Sequence, residues 1–282
     1  MRALEPEVFD AVFAAVDPLI PEQVVTHPLG CHRKRVPDRT CLFVMLVRLV
    51  TGCSWVDAER LTGNVVSDTT LRARRDEWTR AGVFDRLAEM MLATYDAEIG
   101  LCLDDVAVDG SMHKAPCGGE GTGKSPVDRG KLGWKWSIAT DEVGIPIGWI
   151  ADRANHNDCV LLPETLDEVA KRGLLGRIST LHLDRGYDNG NVRRHVSALG
   201  IPQLNCERQR RTGGVPSAEP KKSVLNLGLR WPVERTNSWL SNYGQMRRNT
   251  DRRTEHRRAQ LAFVIAILLV VKLLDWRKTH EA

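Results

Sequence analysis

Two aspartates stand at the ends of apolar runs, Val106-Ala107-Val108-Asp109 and Leu181-His182-Leu183-Asp184. A third acid, Glu234, lies in Arg230-Trp231-Pro232-Val233-Glu234-Arg235-Thr236-Asn237, where Pro232 suits the first turn of a helix. Three carboxylates gathered at the end of a sheet can hold two hard, oxygen-loving cations about 3.5–4 Å apart, which activate a water and stabilise a leaving oxygen in line. That is phosphodiester chemistry. A strand-end aspartate also caps turns, so the acids by themselves leave both readings open.

The elements that must position these acids are readable in outline. From about residue 100 the chain becomes short β-type runs separated by Gly, Pro and Asp: Leu101 to Val108, Trp134 to Thr140, and Ile145 to Ile150, the last two flanking a turn at Asp141-Glu142-Val143-Gly144. Helices are predicted over Leu161 to Arg172 and Asn191 to Leu199, each closed by a glycine, with a strand from Ile178 to Leu183 between them. Strands and helices in this order predict an α/β fold, a mixed sheet with helices on its faces. Ahead of it, residues 36–92 read as a small helical unit, with segments at Leu42 to Val50, Trp55 to Leu61 and a third beginning at Ser67, a good N-cap. Helices joined by Thr62-Gly63-Asn64 resemble a helix-turn-helix, and Arg72, Arg74 and Arg75 on the third helix are candidates for DNA contact. The expected division is residues 1–95, helical and DNA-binding, and residues 96–282, catalytic. Gln209 to Lys222, rich in charge, Gly and Pro, reads as a mobile loop.

Composition agrees with a packed protein: 42% hydrophobic and 27% charged residues over 282 positions. The seven cysteines are scattered and form no C-x-x-C pair, so they read as reduced thiols rather than a zinc site. The N-terminus lacks the order of a secretory signal, and the apolar run Leu261 to Val271 is short of the about 20 residues that cross a bilayer, so a buried C-terminal helix and a cytoplasmic, nucleoid-associated protein are expected. The net charge of +4 is unevenly spread. Between Glu207 and Arg258, thirteen Lys or Arg against five Asp or Glu leave +8, so the rest of the chain carries −4. Such asymmetry suits a polyanion held on one face, as it also suits a solvated helix surface.

One competing motif needs weighing. Gly118-Gly119-Glu120-Gly121-Thr122-Gly123-Lys124-Ser125 matches the phosphate loop G-x-x-x-x-G-K-S letter for letter. A working phosphate loop follows directly on a strand and opens a helix. Here Met112 to Cys117 intervene, and Pro126, Gly130 and Gly133 follow at once, so the stretch is expected to be a loop beside the site and not a nucleotide cradle.

Read together, Val108-Asp109-Gly110-Ser111, the stretch from Pro126 to Lys135, Gly144-Ile145-Pro146, Ala154-Asn155-His156-Asn157-Asp158, Asp184-Arg185-Gly186-Tyr187 and Trp231 to Thr236 closely resemble insertion-sequence transposases of the IS-five family, in order and spacing, from about residue 36 to 275. The resemblance implies a ribonuclease-H-like core with Asp109, Asp184 and Glu234 as a DDE triad that holds two Mg2+ ions, Mn2+ being an alternative. It implies cleavage of the element's ends and joining of the freed 3′-hydroxyl to target DNA. Its partners would be double-stranded DNA, as terminal inverted repeats and target, with a homodimer on paired ends and no membrane. Arg230 fits the signature around the last acid, while the family's tyrosine place holds Leu227 and its lysine place Ser241. Lys131 and Lys135 are candidates for phosphate contact, and Arg247, Arg248, Arg252, Arg253, Arg257 and Arg258 for gripping the backbone. Trp231 and Trp239 are assigned to packing. The alternatives are an inactive remnant that only occupies its repeats, and a two-metal nuclease without strand transfer.

Overall fold

The computed structural model describes residues 2–22, 35–206 and 230–280. The predicted Gln209–Lys222 loop, Leu227 and Cys31 lie outside the described residues. Helices α1 (Pro6–Val16), α2 (Asp38–Thr51), α3 (Trp55–Leu61), α4 (Asp68–Arg80) and α5 (Val83–Glu98) form the N-terminal part. Ser67 caps α4 as predicted, its Oγ accepting from Thr70 N at 3.3 Å. The helical stripe decides which side chains of α4 turn inward: Leu71, Arg74 and Trp78 recur at three- and four-residue spacing and are all buried.

Next come β1 (Asp105–Lys114), β2 (Gly123–Lys124), β3 (Leu132–Thr140), β4 (Pro146–Arg153), α6 (Asp158–Lys171), β5 (Thr180–Leu183), α7 (Gly190–Ala198) and β6 (Gln203–Asn205). The sheet is mixed. β3 and β4 run antiparallel outward from β1 on one side, while β5 and β6 run parallel to it on the other, and the two-residue β2 adds to the edge of β3 beside β4. With helices on its faces, this is the expected α/β architecture. β1 is longer than predicted: its ladder with β3 continues to Lys114, so Asp109 lies mid-strand, at the point where the shorter β5 stops. β2 and β6 carry too few residues to show any periodicity, and the sequence reading lacks them.

Gly123 and Lys124, from the phosphate-loop lookalike, lie on β2, and the chain beyond them turns back to β3 without a helix. Buried Arg257 ties down the preceding loop, donating to Gly118 O at 2.8 Å and to Glu120 O. Arg257 is therefore a structural brace rather than a grip on DNA.

α8 (Trp231–Ser241), α9 (Gly244–Arg247) and α10 (Thr254–His280) complete the described chain. α10 is 27 residues long and apolar enough by length and composition to cross a bilayer, but its apolar side chains are largely buried in the protein against α1, α5 and β4. One hydrophobic core runs from α1 through the sheet to α10. A charged cluster ties α2 and α4 to the chain just before α10: Asp251 receives Arg48 at 3.3 Å and Arg75 at 2.7 Å, all three largely buried, with Arg48 stacked over Trp55. Burial works against ionisation of Asp251, yet the two guanidiniums and His256 hold its pKa below the ordinary carboxylate value.

Candidate active site

The parallel register of β1 and β5 pairs Val108 with Leu183, so the next residues on the two strands are Asp109 and Asp184. Neighbouring strands are about 4.8 Å apart, which brings two acids remote in sequence together where the β1–β5 ladder ends. The third arrives on α8, whose docking is fixed by the turn between β3 and β4. There the Asp141 carboxylate accepts from the backbone N–H groups of Val143 and Ile145, and Gly144 adopts a φ of 84°. Thr236 donates to Gly144 O at 2.6 Å and Arg235 to Val143 O at 2.6 Å. A side chain at Gly144 would press on Thr236 and on the backbone of Pro232 as well as demand a left-handed backbone.

Docked in this way, α8 turns Arg230, Glu234 and Asn237, spaced four and three residues apart, toward the strand ends. Arg230 donates to Asp184 at 3.5 Å and forms an ion pair with Glu234 at 3.2 Å, standing between the two carboxylates. Asn237 donates to Asp109 Oδ2 at 3.3 Å and accepts from Trp136 Nε1 at 2.8 Å. An indole N–H can only donate, so the oxygen of the Asn237 amide must face Trp136 and its NH2 must face Asp109. Trp136 in turn stacks on His113, ring centroids 3.7 Å apart, and His113 bonds Ser111 at 2.8 Å. Burial drives His113 down to about 3, so it is a neutral ring.

The electrostatics centre on Asp109. Burial pushes its carboxyl up to about 6; the Gly110 N–H and Arg230 pull it down, while Asp158 and Glu234 push it further up. Tyr187 lies in the same neighbourhood, a buried phenol raised above its ordinary value by burial and by Asp158, Asp109, Cys159 and Asp184. Its hydroxyl has no hydrogen-bond partner among the described residues. The donors are thus oxygens, and an under-compensated carboxylate stands beside an unpartnered hydroxyl, which fits a hard divalent cation. Among the described residues no three acid, His or Cys side chains already close around a point.

Lys135 is not where a phosphate could meet it. It is 2% exposed on β3 and donates to Asp158 at 2.8 Å and to His156 O at 2.9 Å. The Asp158 carboxylate lies against Gly110, where any Cβ would overlap it, which accounts for a glycine directly after Asp109. Arg74 and Arg75 are likewise turned inward: Arg74 is bonded to Asp38 and Arg75 to Asp251. On α4 only Arg72 of the three remains outward, paired with Asp68 at 3.1 Å. Lys131, Arg247, Arg248 and Arg252 are exposed, and Arg247 and Arg248 line a groove at the far end of β1. Trp231 is 60% exposed, against the packing expected of it, whereas Trp239 is part-buried between Arg235 and Lys272.

Asn237, Trp136, Asp158 and Tyr187 are absent from the sequence-derived site. Asp158 and Tyr187 fall within the motifs already singled out, so position alone could have suggested them. Asn237 has the weaker signal of lying three residues after Glu234 on one helix face.

The comparisons point one way. A family described as "Transposase DDE domain" matches residues 100–271, and one described as "Putative transposase of IS4/5 family" matches residues 8–88. The "Putative transposase for insertion sequence element IS402" of Burkholderia cepacia is 34% identical over 140 residues, 48% of this chain and 61% of that protein, so the chain spans under two thirds of that relative. The "Insertion element IS402 uncharacterized 16.2 kDa protein" of the same organism is 32% identical over 122 residues, 43% of this chain and 82% of its own length. Among solved structures, a chain from a pre-cleavage Mos1 transpososome aligns over 90% of this chain and 82% of its own, with 10% identity and a TM-score of 0.27, and nothing is rested on it.

Proposed function

The chain belongs to the DDE-domain transposases, and from that premise we propose that it cleaves the ends of an insertion sequence and joins them to target DNA at one site. The carrying observation is the convergence of Asp109, Asp184 and α8, with Glu234 tied to Asp184 through Arg230. Asp109, Asp184 and Glu234 would hold two Mg2+ ions, or Mn2+, which when bound supply activation of the attacking oxygen and stabilisation of the leaving one.

The protein's own groups do the positioning. Asn237, oriented by Trp136, fixes one oxygen of Asp109 and so sets the direction of the carboxylate. Arg230 carries its charge between Asp184 and Glu234 and is placed to donate to a phosphate oxygen. Lys135 balances Asp158 behind Gly110 and keeps that acid from being an unpaired charge beside Asp109. In the first step water attacks the end phosphodiester and a 3′-hydroxyl leaves. In the second that hydroxyl attacks a target phosphodiester; one P–O bond forms as another breaks, and the target's own 3′ oxygen departs.

Residues 1–95 are proposed to recognise the terminal repeats, with the acting species a homodimer on paired ends in the cytoplasm. Labelled element ends incubated with Mg2+ and a target plasmid test the reading. Joined product supports it; cleavage alone would make the protein a nuclease, and binding alone an inactive remnant. Asp109→Ala should abolish cleavage and leave end binding intact.

A further inference from the structure

Five residues beyond Asp109, β1 ends in a groove of about 450 Å3 lined by Lys114, Ser125, Asp128, Arg247 and Arg248. One wall is tied to the strand. The chain leaving α9 pairs with the end of β1, Lys114 bridging to Arg248 and Asn249 N donating to Lys114 O at 2.8 Å, so the backbone carrying both arginines is fixed. The one acid in the groove, Asp128, faces Lys114 at 3.8 Å.

The charges here are unusual for this molecule. Most of its described arginines end on a carboxylate, a carbonyl or an aromatic face, as Arg48, Arg172 and Arg235 do. Apart from Arg153 and Arg185, the described cations whose side chains meet none of these are Lys124, Arg129, Lys131, Arg247, Arg248 and Arg252. All six belong to the β2–β3 hairpin or to the end of α9 and the chain that follows it, the two segments that flank the groove. Cations left unmatched on a fixed frame repel one another unless a polyanion comes between them.

We infer that this groove carries the phosphate backbone of duplex DNA on one side of the cleaved bond. The span from Asp109 to Lys114 along β1 is five residues, about 17 Å at about 3.3 Å each, which corresponds to about five nucleotides at 3.4 Å per step. The phosphates held by Arg247 and Arg248 therefore lie roughly five nucleotides from the reacting one. This rests on the reading that the chain acts on DNA ends, and the test separates the two.

Duplexes containing the cleavage point are shortened stepwise, from about twelve base pairs to about two, first on one side and then on the other, and binding is measured against salt. The wild-type protein should lose affinity when one particular side falls below about five base pairs. Arg247→Glu/Arg248→Glu should bind the longest duplex more weakly, respond little to shortening, and show a log–log salt slope shallower by about 2. Arg247→Gln/Arg248→Gln should show the same pattern more mildly, and melting temperatures near wild type certify both folds. A wild-type protein that binds and cuts but is indifferent to length on both sides overturns the groove alone. Variants that keep the full length dependence and salt slope overturn it too. A wild-type protein that binds no DNA end overturns the underlying reading as well.

Discussion

Replacing Asp109 by asparagine should make the metal-free protein more stable while abolishing its chemistry. Burial and the charges of Asp158 and Glu234 move the Asp109 carboxyl from the ordinary 3.8 to about 6. At about 1.4 kcal/mol per tenfold change in the proton equilibrium, holding it ionised in the folded protein costs about 3 kcal/mol. The sign follows from the direction of the shift. A carboxyl raised on folding prefers to be protonated in the native state, so the cost is absent below the unfolded value near 4. It grows as pH rises toward 6 and is complete above that. Asn237 can still donate to an amide oxygen at this position, so the asparagine removes the charge and keeps the contact. Thermal unfolding in chelator, followed from pH 4 to pH 8, should show Asp109→Asn level with wild type at the acid end. By pH 7 it should be more stable by roughly 6–12 °C, on the scale of about 2–4 °C per kcal/mol for proteins this large. Added Mg2+ should raise the wild-type transition and leave the variant's unmoved. A variant that melts below wild type across the whole range, or a gap that does not depend on pH, would refute the reasoning.

Trp136→Phe and Asn237→Ala should each slow strand cleavage roughly 10- to 100-fold at unchanged end binding, and the double variant should be no slower than Asn237→Ala, because the indole acts through the amide; single-turnover cleavage checks this. Gly144→Val should destabilise by at least about 1–2 kcal/mol, since φ 84° is left-handed and α8 lies against the glycine, with loss of activity outrunning loss of fold; urea unfolding and cleavage are the two readouts. Asp251→Ala should cost about 3–5 kcal/mol by leaving Arg48 and Arg75 buried without their shared partner, seen as a drop in the urea midpoint.

What the sequence made legible follows from which features are local. Apolar runs ending in Asp109 and Asp184 announce strands that carry acids, although β1 continues past Asp109 to Lys114, and Pro232 announces the helix bearing Glu234. Their meeting depends on the parallel register of β1 with β5, which no local signal specifies. Cationic residue type misled at Arg74, Arg75, Lys135 and Arg257. Arg74 shares a helical stripe with Leu71 and Trp78, Arg75 adjoins it at the buried Asp251, Lys135 lies on a strand buried on both faces, and Arg257 lies inside the α10 seam. Asn237 and Trp136 went unnoticed because their bond joins residues 101 positions apart and exists only once α8 has docked. The phosphate-loop lookalike shows the reverse, a perfect string whose backbone pairs into β2 instead of opening a helix.

The most direct measurement is a crystal structure of the protein with Mn2+, located by its anomalous scattering. Scattering peaks bounded by Asp109, Asp184 and Glu234, with Arg230 moved from between the last two, are the predicted result. Manganese bound elsewhere, with Arg230 still joining Asp184 to Glu234, would contradict it.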